Sequence, residues 1–571
     1  MQTEPRLKTD RAVNEQLGTL VRLFFSRFFD KESLSPQGDP AANVIQILGT
    51  LAALGAIVSI LMFCLTLMLP KKGWDIVYLR CLFLAFSMSI IGFIVVFEWD
   101  AIFPDRRDSQ VLFPLPVPVW KLFLAKTTAF LLFLGTFLVA IDGVVTIFWP
   151  ALFEGGNFLA VMATHLLVTI AAGLFSAFAA ASIQGLLLIV LPIKIFRPVA
   201  TCVQTILMAA MVMLFLLSPI IAEKFRLMAG SSSGVARWVP AYLFSGLYEL
   251  MRPVVRSQAL LDLGKTSLTA LGCATALFAL THIPLYLRQA HKLLDPPPFH
   301  PSGPGRFHIA LNAVVDRFLL RHPVQEAVFH YIGKTIVRST KHRMFLAVNA
   351  GFGAALVIMS LAPFVTVDYA SFAILISRGP ARAALIGVPL TLSFVLISGL
   401  RAVFNFPAEL AANWSFQMTG ANQTGQCLIA MQKWILVCGV IPLFLLLTPF
   451  TLVFFPWPVA VFQLVFGVML SVLLMEGLFM DFTRIPFTCG YFPGRNNLIW
   501  LMSAYVIGLI YYPSLMADLE IRLITSPLKA TAAVVIGCLI LWKWRERAKP
   551  EESLDYLGDD DPAVRTLGLL Q

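Results

Sequence analysis

Charged residues are scarce in this chain and hydrophobic residues are abundant. Asp, Glu, Lys and Arg make up 13% of the 571 residues, hydrophobic residues make up 58%, and the mean hydropathy is +0.80. The polar segments between the apolar runs are too short to hold a soluble catalytic domain. This composition predicts a polytopic membrane protein.

Several motifs of enzymes and metal proteins are also missing. Gly264-Lys-Thr-Ser267 and Gly333-Lys-Thr335 resemble the end of a phosphate-binding loop, but Ala259 and Val328 stand where its first glycine is required. The sequence contains no HExxH motif. The eight cysteines show no Cys-x-x-Cys or Cys/His ligand spacing. We therefore expect no fused ATPase, no catalytic residue, no bound cofactor and no metal in this chain.

Long apolar runs are the most frequent feature of the sequence. A membrane-spanning helix needs roughly 20 mostly apolar residues, and about twelve stretches meet this length. The predicted spans are 43–69, 76–98, 122–148, 159–192, 199–221, 266–288, 344–365, 384–404, 434–455, 457–480, 498–516 and 526–543. The predicted fold class is an all-α integral membrane protein.

The net charge of +11 is distributed unevenly. With a cytoplasmic N-terminus, roughly 30 of the 43 Lys and Arg residues fall on cytoplasmic segments, which is the positive-inside bias. The 222–265 segment is the exception, because it places basic residues on the predicted outer side. The bias predicts that both termini are cytoplasmic, and it explains the basic composition without a nucleic-acid partner.

A Pro- and Gly-rich segment, Asp295–Gly305, divides the predicted spans into two parallel halves of six. The predicted organisation is a cytoplasmic tail with an interfacial helix (1–42), a first six-span unit (43–290), a cytoplasmic linker with a second interfacial helix (291–343), a second six-span unit (344–543) and a cytoplasmic tail (544–571).

Each half begins with an amphipathic pattern directly before its first span. In the first half, apolar residues from Val13 to Phe28 recur at helical spacing. In the second, Pro323 suits the first position of a helix that continues through Val324, Val328 and Ile336. Both patterns predict helices that lie in the cytoplasmic membrane interface.

The loop after the second predicted span combines charge and proline. It contains Asp105-Arg-Arg-Asp108 and Phe113-Pro-Leu-Pro116, and it leads into Leu122–Lys126. Together with the N-terminal interfacial helix and the Arg237–Glu249 segment between the fifth and sixth spans, this loop resembles the permease subunits of bacterial type-2 ATP-binding-cassette exporters. The resemblance covers much of residues 10–290.

The resemblance implies a permease in the bacterial plasma membrane that exports its substrate. It implies two partners for this chain: membrane lipid, and a separate ATPase subunit that binds the ATP. It also implies that Arg237–Glu249 contains a re-entrant segment on the outer side. The loop after the second span would contact the ATPase. The candidate docking residues are Asp105, Arg106, Arg107, Asp108, Leu112 and Phe113.

Ionisable residues inside apolar spans are candidates for function or for structural pairing. They are Asp142, His165, His282 and Glu476. Arg80 and Arg401 lie near span ends, where long basic side chains are expected to extend to the interface. Two other classes stay open: a twelve-span secondary transporter and a membrane scaffold without a transport path.

Overall fold

The structure, a computed structural model, describes residues 4–29, 73–102, 111–112, 114–153, 157–228, 239–252, 257–289, 315–317, 319–365, 380–408, 424–480 and 498–547, with scattered positions in 48–64 and 482–488. These residues form helices and connecting turns, and no strand occurs among them. The chain divides into two compact units, Met1–His300 and Pro301–Gln571. This boundary lies inside the Pro- and Gly-rich segment.

The first unit contains six long helices and one shorter helix, α6, among its described residues. They are α1 (Glu4–Phe29), α2 (Gly73–Phe97), α3 (Val119–Phe153), α4 (Phe158–Val190), α5 (Ile193–Met228), α6 (Pro240–Met251) and α7 (Gln258–Gln289), and a short helix, Trp99–Ile102, follows α2. In a membrane an isolated strand would leave backbone groups unpaired, whereas a helix satisfies them internally. This is why uniformly apolar runs become helices.

Helix α2 is the central helix of the first unit. Val77, Cys81, Leu84 and Met88 follow helical spacing and are all buried. Helices α4, α5 and α6 pack against it. Because its neighbours surround it, any polar side chain on α2 must find its partner inside the protein.

The second unit contains α8 (Pro323–Arg338), α9 (Thr340–Val365), α10 (Pro380–Phe404), α11 (Thr424–Trp434), α12 (Ile441–Phe454), α13 (Trp457–Leu478), α14 (Leu498–Ile524) and α15 (Pro527–Arg547). A π-turn, Ile435–Val440, joins α11 to α12, and the N–H of Ile441 donates to the carbonyl of Leu436. Pro442 follows directly and has no N–H to donate, which favours a wider turn at this point.

Helices are present at both places where the sequence predicts interfacial helices, and their location in a membrane interface stays a prediction. Helix α1 packs along α3, with the ring of Phe28 stacked on Phe133 at a centroid distance of 4.7 Å. Helix α8 begins at Pro323, and the imidazole of His322 caps it by accepting a hydrogen bond from the N–H of Val324. Both helices therefore bury an apolar face against the protein.

Nine of the described helices are long and apolar enough to cross a membrane, and they correspond to nine of the twelve predicted spans. The predicted span 43–69 lies mostly outside the described residues. Helices α14 and α15 cover the last two predicted spans but are not among the nine. The all-helical fold class is confirmed for the described residues, and the count of twelve in two halves of six stays a prediction.

Candidate functional site

A buried ion pair connects α6 to the central helix α2. The guanidinium Nη1 of Arg80 lies 3.6 Å from Oε2 of Glu249, and the two side chains are 4% and 0% exposed. The same guanidinium lies over the ring of Tyr248, 4.9 Å from its centroid. Breaking such a pair leaves a buried charge, so the pair constrains the position of α6 strongly.

Arg80 does not extend to the interface, so the sequence-based expectation for this residue is wrong. Its position near the start of the predicted span 76–98 indicated a span end, but α6 packs against this part of α2. The partner, Glu249, lies far along the chain, in a segment whose burial the sequence does not reveal. Arg401, by contrast, is half-buried.

His165 extends the same cluster to α3 and α4. Its Nδ1 lies 2.7 Å from the hydroxyl of Tyr248 in a hydrogen bond. Its ring stacks on the indole of Trp149 at a centroid distance of 4.2 Å. Arg80, Glu249, Tyr248, His165 and Trp149, the α6 cluster, therefore join α2, α3, α4 and α6 at one end of the first unit.

The second polar contact of the first unit lies within the spans. The hydroxyl of Ser87 on α2 donates to Oδ2 of Asp142 on α3 over 3.0 Å, and both residues are buried. Oδ1 of Asp142 has no hydrogen-bond partner among the described residues. The Ser87 hydroxyl is a neutral donor on a different helix, so this hydrogen bond supports a role for Asp142 in holding α2 and α3 together.

Two glutamines that sequence reasoning missed bind backbone carbonyls at the C-terminal end of α2 and at the start of the short helix that follows it. Gln204 on α5 donates to the carbonyl of Val96 over 2.9 Å, and Gln184 on α4 donates to the carbonyl of Trp99 over 3.1 Å. The last carbonyls of a helix have no partner within it. Amide side chains within otherwise apolar runs were the signal that could have identified them.

His282 and Glu476 make hydrogen bonds away from the α6 cluster. The Nδ1 of His282 on α7 lies 3.1 Å from the carbonyl of Phe278, one turn earlier. Glu476 on α13 is half-buried and accepts a hydrogen bond from the amide of Gln432 over 2.9 Å. Neither residue joins the α6 cluster, and His282 lies on the same helix as its acceptor.

Glu520 is a further acidic residue that the sequence reasoning missed. It lies on α14 and is 0% exposed, and neither of its carboxylate oxygens has a hydrogen-bond partner among the described residues. Asp518 and Arg522 flank it in sequence, and charges this close together are typical of a polar helix end. Its burial depends on packing that only the folded unit shows.

The predicted ATPase-docking loop is described only in part. Leu112 is 6% exposed and therefore buried, whereas its neighbours Val111 and Leu115 are exposed. The other candidate docking residues, Asp105, Arg106, Arg107, Asp108 and Phe113, lie outside the described residues.

The comparisons with known proteins return no relative. The chain matches no protein-family model, and it is not significantly similar to a curated protein or a solved structure. Its class therefore rests on its own residues. The apolar helices and the strand-free described part place the chain among multi-pass α-helical membrane proteins.

Proposed function

We propose that this chain is the membrane-spanning permease of an ATP-driven exporter in the bacterial plasma membrane, coupled to a separate ATP-binding-cassette ATPase. The observation that supports this proposal most directly is α6. This short helix lies between α5 and α7 in sequence, where exporter permeases of the type-2 class have an outer re-entrant segment. Every residue from Ala241 to Glu249 in it is buried.

Helix α6 is packed inside the first unit, whereas an ordinary connecting loop would lie on the surface. This packing supports a role for α6 in transport. A connecting segment normally lies on the surface, because its backbone polar groups need water. Helix α6 instead satisfies its backbone internally and packs on α7, α2 and α4. A rigid element of this kind closes one end of the spans, so a substrate path that opens there must displace or pass it.

The polar contacts favour a permease without its own ion coupling over a secondary transporter. A secondary carrier needs ionisable groups that face a substrate cavity. In the described part of the first unit, Asp142 is held by Ser87, and Arg80 is paired with Glu249. Because these groups hold helices together, they are not available to couple transport to an ion gradient. The energy for transport would then come from ATP hydrolysis by a partner subunit.

The test is association with an ATP-binding-cassette ATPase from the same organism. We expect such a subunit to co-purify with the chain, and the reconstituted complex to hydrolyse ATP faster than the ATPase alone. Combined Arg106→Glu and Arg107→Glu replacement should weaken association by about tenfold, since charges at an interface rim set register and on-rate.

Lys265→Glu is the matched control, because Lys265 is exposed on α7 and lies in the segment predicted to be on the outer side. It should leave association unchanged. If no ATPase associates and reconstituted protein transports in response to an ion gradient alone, the secondary-transporter class replaces the proposal. If it neither associates nor transports, the scaffold class does.

A further inference from the structure

Three metal-ligating side chains converge at the start of the interfacial helix α8. The ligand atoms of Asp316, Glu326 and His330 all lie within 4.8 Å of one another. Nε2 of His330 lies 2.9 Å from Oδ1 of Asp316. This cluster, the α8 triad, was not detected in the sequence, because Asp316 precedes the helix and its proximity to His330 depends on the chain turning back.

The backbone presets two of the three ligands. Glu326 and His330 are four residues apart on α8, so their side chains project from the same face, one turn apart. Asp316 lies in the helical turn before α8 and contributes the third ligand. A site that uses two positions of one rigid helix needs little ordering when an ion binds.

The charge balance of the triad favours a divalent cation. Two carboxylates at this separation repel each other, and the imidazole of His330 makes its hydrogen bond to Asp316. A divalent cation would neutralise both carboxylates and would use the imidazole nitrogen as a neutral ligand. The side chains of His330 and Asp316 are 25% and 28% exposed, so an ion has access and would retain water in the open positions.

The surroundings form an open groove next to the triad. Pro323, Glu326, Ala327, His330, Tyr331 and Lys334 line it. Lys334 is the one basic residue of the lining, and its ammonium group would compete with a weakly bound ion.

We infer that the α8 triad is a binding site for a divalent transition-metal ion of the zinc type, with Asp316, Glu326 and His330 as the protein ligands. One imidazole and two carboxylates suit Zn²⁺ better than Mg²⁺, which prefers oxygen ligands alone. The ion would tie the turn at 315–317 to α8. This inference is independent of the proposed transport function, since binding can be measured without an ATPase or a substrate.

The experiment is calorimetric titration of Zn²⁺ into the full-length protein, purified in detergent without a polyhistidine tag and stripped with a chelator. We expect one Zn²⁺ per chain at the triad and a rise in melting temperature when the ion is present. His330→Gln, Asp316→Asn and Glu326→Gln should each weaken binding by at least about tenfold and remove the ion-dependent rise in melting temperature.

His322→Asn is the matched control. It removes a neighbouring imidazole outside the triad, and asparagine preserves the cap of α8 because it is a preferred N-cap residue. This variant should bind Zn²⁺ like the unmodified protein. His330→Gln removes the imidazole ligand but retains an N–H group that can donate to Asp316. Weaker Zn²⁺ binding by this variant therefore reports loss of the ligand and not loss of the hydrogen bond between residues 330 and 316.

Four results would overturn the inference. The first is the absence of Zn²⁺ binding by the unmodified protein, and the second is unchanged binding after His330→Gln and Asp316→Asn. The third is preferential binding of Mg²⁺, which would exclude an imidazole-preferring ion. An equal loss in His322→Asn and His330→Gln would place the bound ion elsewhere, and it would also reject the triad.

Discussion

At the scale of single residues, the α6 cluster shows how a membrane protein holds a charge away from water. The Arg80 guanidinium lies against both a carboxylate and an aromatic face. An aromatic ring attracts a cation more strongly where water is excluded, and the carboxylate neutralises the charge. The contact therefore stabilises the buried charge and also holds α6 against α2.

Removing one partner of this pair should destabilise the protein more than removing both. We expect Glu249→Gln or Arg80→Gln to lower stability by about 3–5 kcal/mol, because a buried charge loses its opposite charge, and the double variant to lose less than the sum of the two. Thermal unfolding of detergent-purified protein measures this. Lys265→Gln breaks the exposed pair with Asp262 and should change stability by less than about 1 kcal/mol. Equal effects in Glu249→Gln and Lys265→Gln would contradict the prediction.

The contact between Ser87 and Asp142 leads to a second prediction at this scale. Asp142→Asn keeps a carbonyl oxygen that accepts the Ser87 hydrogen bond, so the yield of monodisperse protein should stay near that of the unmodified chain. Asp142→Leu leaves the buried hydroxyl without this acceptor and should cost about 1–3 kcal/mol. Size-exclusion chromatography gives the yield. A normal yield of Asp142→Asn with transport abolished would assign Asp142 a transport role instead.

At the scale of elements, α6 and α7 approach each other through two glycines. A Cβ atom at Gly264 would lie 2.5 Å from the backbone oxygen of Gly246, which is closer than van der Waals contact allows. The obstacle is backbone rather than a flexible side chain, so the helices would have to separate. Close helix approach through small residues is a common mode of packing in membranes.

Gly264→Ala should therefore lower the melting temperature and detach α6 from α7. Gly272→Ala on the same helix is the matched control, because no atom lies within 4 Å of its added Cβ. This control should raise stability by about 0.5–1 kcal/mol, since alanine is the better helix former. The two effects should have opposite signs in thermal unfolding. If both variants unfold like the unmodified protein, the close packing of α6 on α7 is wrong.

At the scale of the whole molecule, the distribution of Lys and Arg determines the expected orientation. The 149–158 segment, where α3 ends and α4 begins, has no basic residue, and the basic residues concentrate on the predicted cytoplasmic segments. In the first unit, the α6 cluster and the glutamines at the end of α2 lie at opposite ends of that helix. With a cytoplasmic N-terminus, the α6 cluster would lie toward the outside.

Single cysteines introduced into a cysteine-free background would check this orientation. Positions in 296–305 and 550–571 should be protected from a membrane-impermeant thiol reagent in intact cells, and positions in 152–157 should react. The same reagent should reach the first two segments after the cells are opened, which controls for folding around the thiol. Labelling of 550–571 from outside would reverse the orientation of the tail.

The sequence alone located nine of the long apolar helices. Nine predicted spans coincide with observed helices, because a helix satisfies its own backbone and needs only a long apolar run. The start of α8 at Pro323 was likewise predicted, since proline at the first helical position loses no hydrogen bond. The length of an apolar run and the position of a proline are local properties of the chain, so they can be read from the sequence without the tertiary structure.

Only the tertiary structure decided which polar residues meet. Arg80 and Glu249, Gln184 and the carbonyl of Trp99, and the three members of the α8 triad are separated along the chain. Their contacts depend on how helices cross and which faces they bury, and no period or motif in a single sequence encodes this. Asp142, by contrast, was a candidate from its position alone, because a carboxylate within an apolar run is costly unless it is paired. The structure supplied its partner, Ser87.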